Sequence, residues 1–467
     1  MAILTFIGAA QEVTGSCYLL ESEALGKVLL DCGMHQGGDA IERLQNENFP
    51  FKPAEIDALI LSHAHLDHCG LIPKLVHEGF RGRIHCTRAS AKLLPVMLKD
   101  AAGLYERDVQ QENRRRQRRG QKPLKPAYLK SDVDKALKLC QGTRYRELLQ
   151  LTPRATVTFH DAGHILGSAI VELKLMEKGQ EKTLVFSGDL GKQGSVLMND
   201  PATLSQADVL LMEGTYGNRD HRTLDDTVTQ LEQILDDTWR KKGNVMIPAF
   251  AVGRTQEILF HLGSLRNAGR LADWQVFLDS PMAIAVTDIY DQCLPLLDPV
   301  DVEKLSQAYE SSLKGFLPQL VYTRTPEESM AINKVSHGAI IIAGSGMCTG
   351  GRIRHHFKQG IWNKHNTIII AGFQARGTLG RMLVDGVKKI RLFGDEFVVN
   401  ARIETLGGFS AHAGQSELLQ WRSCFRNQPR TLLIHGEPEA LEALSMKLWN
   451  EKGINSEIPY QGQHLFF

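Results

Sequence analysis

The chain has 467 residues, which at a typical size of about 150 residues per domain corresponds to roughly three domains or two large ones and excludes a single small module. Hydrophobic residues make up 43% of the chain and charged residues 23%, which excludes a disordered or fibrous protein. The 54 basic side chains nearly balance the 53 acidic ones, so a polyanionic partner must be bound by a local patch and not by net charge.

The cysteine pattern and the N-terminal segment indicate where the protein is located. The eight cysteines are scattered without a CxxC pair, as is typical of a reducing compartment. The first residues lack the basic region of a secretory signal, and the sequence contains no apolar run of about 18 residues that could cross a membrane. We therefore expect a cytoplasmic protein that does not bind membranes.

Four short apolar runs, rich in Val, Leu and Ile, predict strands that are buried on both faces. They are KVLLDCG (27–33), DALILSH (57–63), KTLVFSGD (182–189) and ADVLLMEGT (207–215). Each run carries a polar or ionisable residue near its C-terminal end, namely Asp31, His63, Asp189 and Glu213. Because ligands in layered α/β folds bind at the C-terminal ends of strands, this pattern indicates one shared site.

The segment His63-Ala64-His65-Leu66-Asp67-His68 directly follows the second of these predicted strands. Residues i and i+2 of an extended backbone share a face, so His63 and His65 can ligate one metal ion. The turn into a helix then lets Asp67 and His68 face a second ion. The spacing predicts two adjacent half-sites, with ordinary surface histidines as the alternative.

Nine basic side chains lie between residues 107 and 130 against two acidic ones, which gives this stretch a local charge of +7. A solvated helix and loop explains such a run as well as contact with a phosphate backbone does, and both interpretations stay open. The arginines that we consider for phosphate contact are Arg114, Arg115 and Arg118.

Helical and strand patterns alternate again between residues 214 and 395, which predicts a second α/β domain. The segments EFVVNARIETL and RTLLIHGE that follow resemble elements of the first domain. We therefore expect an inserted domain at 214–395, flanked by the first part of the other domain at 1–213 and by its returning segment at 396–467.

The HxHxDH segment after a strand resembles the metal-binding motif of the metallo-β-lactamase superfamily. His164 in DAGHILGSA and Asp189 in FSGDLG are similar to the third and fourth metal motifs of that superfamily. Asp31 in LLDCG resembles the first motif, a supporting aspartate. The order and the spacing of these segments make the resemblance specific.

Three later segments resemble motifs A, B and C of the β-CASP family, whose nucleases insert a second domain into the metallo-β-lactamase fold. They are MEGTYG with Glu213, FSAHAG with His412 and IHGE with His435. Motif C of that family tends to be histidine in RNA-processing members and aliphatic in DNA-repair members, so His435 points to RNA. The resemblance implies an α/β protein in which a metallo-β-lactamase αββα sandwich carries an inserted α/β β-CASP domain.

The resemblance also implies two zinc ions per chain, bridged by Asp189. The implied ligands are His63, His65, His164 and Asp189 for one ion, and Asp67, His68, Asp189 and His435 for the other. Imidazoles and carboxylates suit Zn²⁺, and two such ions can clamp the attacking and leaving oxygens of a phosphodiester. We interpret Asp31 as a carboxylate that is hydrogen-bonded to ligands or backbone, and not as a ligand itself.

Cleavage of a phosphodiester also needs a proton for the leaving 3′-oxygen, and a histidine that titrates near neutral pH is suited to donate it. The resemblance assigns this role to His412, oriented by Glu213. Together with Asp67, these two residues form the expected catalytic set.

The loop GSGMCTGGR (344–352) superficially resembles a dinucleotide-binding turn. No Asp or Glu occurs from Arg352 to Val384, so the acidic partner of the ribose is missing and we do not expect NAD. Backbone amides in such a turn can hold RNA phosphates, and a purely structural turn is the alternative. The further candidates for phosphate contact are Arg254, Ser345, Arg376 and Ser410.

These observations together predict a zinc-dependent ribonuclease, with endonuclease activity favoured, that hydrolyses single-stranded RNA to 5′-phosphate and 3′-hydroxyl ends. One alternative is a catalytically inactive RNA-binding scaffold, which the presence of every implied ligand argues against. The other is a small-ester metallo-hydrolase of the wider superfamily, which would not need the inserted domain.

Overall fold

A computed structural model describes residues 2–36, 40–308, 310–372, 374–375 and 377–467, apart from the side chains of Ala40 and Ile41. These residues divide into two compact units. The first unit comprises residues 1–193, 200–220 and 412–467, and the second comprises residues 194–199 and 221–411. Among the described residues, no helix combines the length and the apolar character that crossing a membrane requires.

The first unit contains two sheets, each with seven strands among the described residues. The strand order of the first sheet is His464–Phe466, Ile3–Gly8, Cys17–Ser22, Gly26–Leu30, Ala58–Ile60, Arg83–Thr87 and Cys140–Thr143. The order of the second sheet is Ser456–Glu457, Arg430–Ile434, Val209–Glu213, Gln180–Phe186, Ala169–Glu177, Ala155–Asp161 and Leu148–Thr152. In the first sheet, strands Gly26–Leu30 and Ala58–Ile60 run parallel. In the second sheet, strand Val209–Glu213 runs parallel to both of its neighbours, Gln180–Phe186 and Arg430–Ile434. The carboxyl ends of these strands, which precede candidate site residues, therefore meet at one edge of each sheet.

The two sheets pack face to face through a continuous apolar core. Leu4 and Tyr18 of the first sheet and Phe159 and Phe186 of the second are buried in it. The rings of Tyr18 and Phe186 meet edge to face with their centroids 5.5 Å apart, an arrangement that stabilises aromatic pairs beyond the burial of their area. This core fixes the two sheets in one rigid sandwich.

Helices cover the outer faces of both sheets. The helices of the first unit are Ala40–Asn46, Leu66–Cys69, Ile72–His77, Arg88–Arg118, Lys130–Leu139, Gln415–Ser423 and Pro438–Lys452, with a 3₁₀ helix at Pro53–Glu55. Helix Arg88–Arg118 contacts the end of the first sheet, and Leu418 and Leu444 pack against Val185 and Leu210 on the outer face of the second. The order helix, sheet, sheet, helix confirms the predicted αββα sandwich.

The second unit is built on a parallel sheet with six strands among the described residues. Their order is Leu320–Tyr322, Gln275–Leu278, Ala339–Ala343, Val245–Pro248, Thr367–Ile370 and Arg402–Thr405. Its helices are Leu224–Arg240, Arg254–Asn267, Pro281–Gln292, Pro299–Ser306, Leu313–Phe316, Pro326–Ile332, Ile353–Gly360 and Leu379–Val384, with a 3₁₀ helix at Leu294–Leu296. Ile340 and Ile342 face one apolar core and Ile341 faces another, as expected of a parallel sheet covered on both faces.

The structure differs from the expected position at which the chain returns to the first unit. Residues 395–398 form a hairpin with 389–392, and strand Arg402–Thr405 pairs in parallel with Thr367–Ile370 in the sheet of the second unit. The compact first unit therefore resumes at His412 and not at residue 396. Parallel pairing joins segments far apart in the chain, so the local apolar pattern of 396–405 does not reveal which sheet it joins.

Candidate metal centre

Four side chains at the C-terminal ends of strands and in neighbouring loops of the first unit converge in one cluster. Nε2 of His63 lies 3.1 Å from Nδ1 of His65 and 3.4 Å from Oδ2 of Asp189. Nε2 of His164 lies 3.2 Å from the same Nδ1 and 3.5 Å from the same Oδ2. These four atoms all lie within 4.8 Å of one another, the spacing of ligands around a single metal ion.

A second cluster lies on the other side of Asp189. Nε2 of His68 is 3.2 Å from Nε2 of His435 and 3.3 Å from Oδ1 of Asp189. Nε2 of His435 is 3.7 Å from the same Oδ1 and 3.8 Å from Oδ2 of Asp67. Asp67, His68 and His435 can thus hold a second ion, adjacent to the first cluster.

The two oxygens of Asp189 face different clusters, Oδ2 the first and Oδ1 the second. Oδ1 is buried, yet it accepts no hydrogen bond from any residue that the structure describes. A buried carboxylate oxygen without a donor is costly unless a cation neutralises it. Its surroundings of imidazole nitrogens are the donor set that Zn²⁺ prefers, so the residues present fit a metal ion on each side of Asp189.

The local backbone explains why one short segment serves both clusters. His63 follows strand Ala58–Ile60 in the chain, and His65 is the extended residue that precedes helix Leu66–Cys69. The helix then turns Asp67 and His68 away from the face that His63 and His65 share. The sequence prediction of two half-sites rested on this change from strand to helix.

A glycine places Asp189 at the centre. Gly188 has a φ of +54°, and a Cβ at this position would lie 2.9 Å from the carbonyl oxygen of Ala169 and from Cβ of Ser62. A larger residue would therefore push the strand end away from the segment that carries His63.

Asp31 belongs to neither cluster but orients ligands of both. Its Oδ2 accepts hydrogen bonds from Nδ1 of His68 at 2.7 Å and from the hydroxyl of Ser62 at 2.7 Å. The Ser62 hydroxyl, having donated to Asp31, is left to accept from Nδ1 of His63 at 3.0 Å. In both histidines Nδ1 is engaged, so Nε2 faces its cluster, an arrangement that fixes ligand orientation in metal sites.

Thr215 performs the same task for His435. Its hydroxyl lies 3.1 Å from the carbonyl oxygen of His435, to which it donates, and 3.0 Å from Nδ1 of the same residue, from which it accepts. Ser62 and Thr215 are not among the site residues predicted from the sequence. The sequence offers one indication for them: Ser62 directly precedes His63, and Thr215 closely follows Glu213. Ser and Thr are too common in proteins for this proximity to identify residues that orient ligands.

Electrostatics differ between the histidines of the two clusters. Burial lowers the pKa of His63 and of His65. Burial also opposes protonation of His68, but the carboxylates of Asp189 and Asp31 outweigh it and raise the pKa of His68 well above its ordinary value. The first cluster therefore offers neutral imidazoles with free lone pairs at neutral pH, as metal ligation requires.

Glu213 and His412 form a pair beside the clusters. Nδ1 of His412 lies 3.2 Å and 3.3 Å from the two carboxylate oxygens of the fully buried Glu213, which is itself held by the backbone N–H of Leu190 at 2.6 Å. Burial opposes protonation, but Glu213 outweighs it and raises the pKa of His412 to about 9. The His412 ring contacts that of His164, with centroids 4.4 Å apart and ring planes inclined at 49°, so His412 lies at the edge of the first cluster.

The candidates for phosphate contact in the second unit have different surroundings. Arg254 is buried and forms an ion pair with Glu257 one helical turn later. The hydroxyl of Ser345 accepts from the backbone N–H of Gly350 at 3.1 Å, which closes the loop 344–352 on itself. Ser410 is buried, and Arg376 lies outside the described residues.

Arg114, Arg115 and Arg118 lie on the last two turns of helix Arg88–Arg118 and are exposed. Arg115 lies 3.6 Å from Glu112, an exposed ion pair that contributes little to stability.

Three family models match successive parts of the chain. Residues 10–143 match the metallo-beta-lactamase superfamily, residues 255–383 match the Beta-Casp domain, and residues 397–459 match the Zn-dependent metallo-hydrolase RNA specificity domain. Over 449 residues the chain is 39% identical to Ribonuclease TTHA0252 of Thermus thermophilus, an alignment that covers 96% of each protein. The chain belongs to the β-CASP ribonuclease family. It is accordingly a metal-dependent hydrolase, as its motifs predict.

More distant members of the β-CASP ribonuclease family align over nearly the whole chain as well. The RNase J-like protein of Methanocaldococcus jannaschii is 30% identical over 465 residues, which covers 99% of each protein. Transcription termination factor FttA of Pyrococcus abyssi is 30% identical over 476 residues, which covers 98% of this chain and 70% of that protein. The resemblance to the β-CASP family stated from the motifs is thereby confirmed.

Proposed function

We propose that this β-CASP protein is a cytoplasmic endoribonuclease that binds two zinc ions and hydrolyses single-stranded RNA to 5′-phosphate and 3′-hydroxyl ends. The observation that carries the proposal is the division of the Asp189 carboxylate between two ligand clusters, with Oδ2 facing one and Oδ1 the other. A single-metal site would not need a second set of convergent imidazoles.

Zinc at each cluster would be held by residues that already converge. The first ion would be held by His63, His65, His164 and Asp189, and the second by Asp67, His68, His435 and the shared Asp189. Bound there, zinc supplies Lewis acidity toward the scissile phosphate and the attacking water. Asp67 contributes a full negative charge, because His435 and His68 outweigh its burial and lower its pKa to about 2.

The proton that the reaction requires comes from His412 in this proposal. As the water oxygen gives up a proton to solvent and bonds to phosphorus, the bond from phosphorus to the 3′-oxygen breaks, and the leaving oxygen takes a proton and becomes a hydroxyl. Nδ1 of His412 faces Glu213, and Nε2 is the atom that donates the proton in this proposal. With its pKa raised to about 9, His412 carries the proton at neutral pH.

RNA as the substrate is supported by two features of the returning segment. One is the match of residues 397–459 to an RNA specificity domain, and the other is His435, the histidine that points to RNA-processing members. Relatives named as ribonucleases agree. The inactive scaffold is disfavoured because the implied ligands converge in space, and the small-ester hydrolase because a second unit of α/β structure is present.

Mapping of cleavage products on RNA labelled at the 5′ or the 3′ end tests the proposal. We expect the zinc-loaded protein to cut inside a single-stranded RNA of 40 or so nucleotides, to leave 5′-phosphates that a ligase accepts, and to spare a duplex of the same sequence. Asp67→Asn is the inactive control, since it removes the charge but keeps the shape. Mononucleotides released from one end only would show an exonuclease, and an uncut RNA would refute the proposal.

A further inference from the structure

One end of the long helix Arg88–Arg118 is fixed beside the metal centre. Thr87 caps the helix by accepting from the backbone N–H of Ser90 at 3.1 Å. The hydroxyls of Thr87 and Ser90 both donate to the carbonyl oxygen of Gly167, at 2.7 Å and 2.9 Å. Gly167 belongs to the loop that carries His164, so the helix starts from a ligand loop.

The other end of the helix projects away from the packed core. The helix has 31 residues, so at about 1.5 Å per residue its two ends are about 45 Å apart. Val109 is its last buried residue, and no side chain from Gln110 to Arg118 is buried. The first two thirds of the helix are therefore anchored and the last turns extend into solvent.

The projecting end and the loop after it form one ordered basic surface. The Asn113 side chain donates to the carbonyl oxygen of Leu124 at 3.1 Å and accepts from its backbone N–H at 2.6 Å, and Nε of Arg116 donates to the carbonyl oxygen of Lys122 at 2.8 Å. These bonds hold the loop against the helix. We call the resulting exposed surface the basic tip, formed by Arg114, Arg115, Arg118, Arg119, Lys122 and Lys125.

The cations of the basic tip are largely uncompensated. Apart from Arg115 with Glu112, none of the six forms an ion pair with another residue of the described ranges. No acidic residue occurs between Asn113 and Ser131. Without the seven basic residues of 114–125, the chain would hold 47 basic against 53 acidic side chains, so the tip is positive on a protein that is otherwise negative.

RNA fits the basic tip better than a lipid surface does. Arginines match the phosphate oxygens of a nucleic acid backbone, and such contacts need no apolar side chains. Membrane-binding basic segments add several exposed large apolar residues that enter the bilayer. The basic tip has one large apolar residue, Leu124, which is half-buried, and the exposed Leu129 lies outside the tip.

We propose that the basic tip is a remote anchor for RNA, which makes the enzyme bind long substrates more tightly than short ones. The inference rests on the proposed function and adds substrate length to it. A strand that reaches from the metal centre along about 45 Å of helix needs about 13 stacked nucleotides at about 3.4 Å each, and fewer if it is extended. RNA shorter than this reach contacts the centre without the tip.

The test compares two RNAs that share one cleavage site. One has six nucleotides, and the other carries a tail of 30 unstructured nucleotides on the 5′ or the 3′ side of that site. In the variant Arg114→Ala, Arg115→Ala, Arg118→Ala, Arg119→Ala, the KM for one of the tailed RNAs should rise about tenfold or more, because its phosphate contacts to the tip are lost. Each lost contact should also remove about 0.7 from the slope of log affinity against log salt. The kcat and the KM for the six-nucleotide RNA should stay within twofold.

Two matched variants separate position from charge. Replacement of Arg154, Lys178, Arg426 and Lys452 by Ala removes the same charge from exposed positions outside the tip and should leave KM for both RNAs unchanged. Replacement of the four tip arginines by Lys keeps the charge and should restore most of the affinity. A loss of the same size for short and tailed RNA, or no loss for either tailed RNA, would overturn the inference.

Binding measured without cleavage keeps the inference distinct from the proposed function. Fluorescence anisotropy of a labelled, uncleaved 36-nucleotide RNA reports the affinity even if the zinc-loaded protein cuts no RNA. If the protein cuts no RNA, the proposed endonuclease activity is refuted. If the tip variant nevertheless binds this RNA more weakly than the unmodified protein does, the anchor is supported. Unchanged RNA binding together with lost binding to vesicles of anionic phospholipid would show that the tip is a membrane surface.

Discussion

Asp189→Asn should reduce RNA cleavage by about 10³-fold or more and should lower the zinc content toward one ion or none. The substitution keeps the size of the side chain but replaces a carboxylate shared by two clusters with a neutral amide, whose NH₂ group must face one of them. The expected loss corresponds to several kcal/mol of charge stabilisation supplied by bound metal. Single-turnover cleavage and elemental analysis of the same preparation measure both effects.

Asp31→Asn is the matched control, because Asp31 is also buried and lies beside His68, which Asp189 faces from the other side of the ring. Asp31 contacts His68 and Ser62 and belongs to neither ligand cluster. Its replacement should therefore reduce activity by about 10- to 100-fold, the usual effect of losing a residue that orients metal ligands. Saturating zinc should restore two ions per chain in this variant. Equal losses in the two variants would contradict the bridging role of Asp189.

His412→Ala should leave both zinc ions bound and reduce the rate on ordinary RNA by about 10² to 10⁴-fold, the contribution of a positioned acid. A substrate whose scissile 3′-oxygen is replaced by sulfur needs little protonation when it leaves. On that substrate the variant should recover most of the lost rate, provided that chemistry limits turnover. A deficit of the same size on both substrates, or a loss of zinc, would show that His412 is not the proton donor.

Glu213→Gln supplies the companion measurement for the proton donor. Glu213 is the group that raises the pKa of His412, so its neutral replacement should lower that pKa. The rate falls as pH rises through the pKa of an acid that must be protonated, and the alkaline limb of the pH profile should therefore move to lower pH. A profile that does not move would separate Glu213 from the proton transfer.

Part of the ligand clusters could be predicted from sequence because the geometry of the segment His63–His68 is local. The change from strand to helix within His63–His68 divides one short segment between the two sides of the centre. Asp189, Glu213 and His435 each follow or end a strand, and parallel strands bring their carboxyl ends to the same edge. Spacing and strand ends therefore indicated one shared site, whereas His164 and His435 were named from the resemblance to the family.

Other features depend on contacts that no local pattern encodes. The hydroxyls of Ser62 and Thr215 orient ligands through hydrogen bonds that form only after the strands pack. Strand Arg402–Thr405 joins the second unit because of its partner Thr367–Ile370, which lies far away in the chain. The sequence presents Arg254 as a candidate for phosphate contact. Its burial and its ion pair with Glu257 are visible only in the fold.

Anomalous X-ray diffraction at the zinc edge, from crystals of the zinc-loaded protein, tests the central claim most directly. The claim is that Asp189 joins two metal sites. We predict two peaks about 3.5–4 Å apart, the separation typical of two-metal hydrolytic sites, one beside His63, His65 and His164 and the other beside Asp67, His68 and His435. A single peak, or a peak held by Glu213 and His412, would contradict the account.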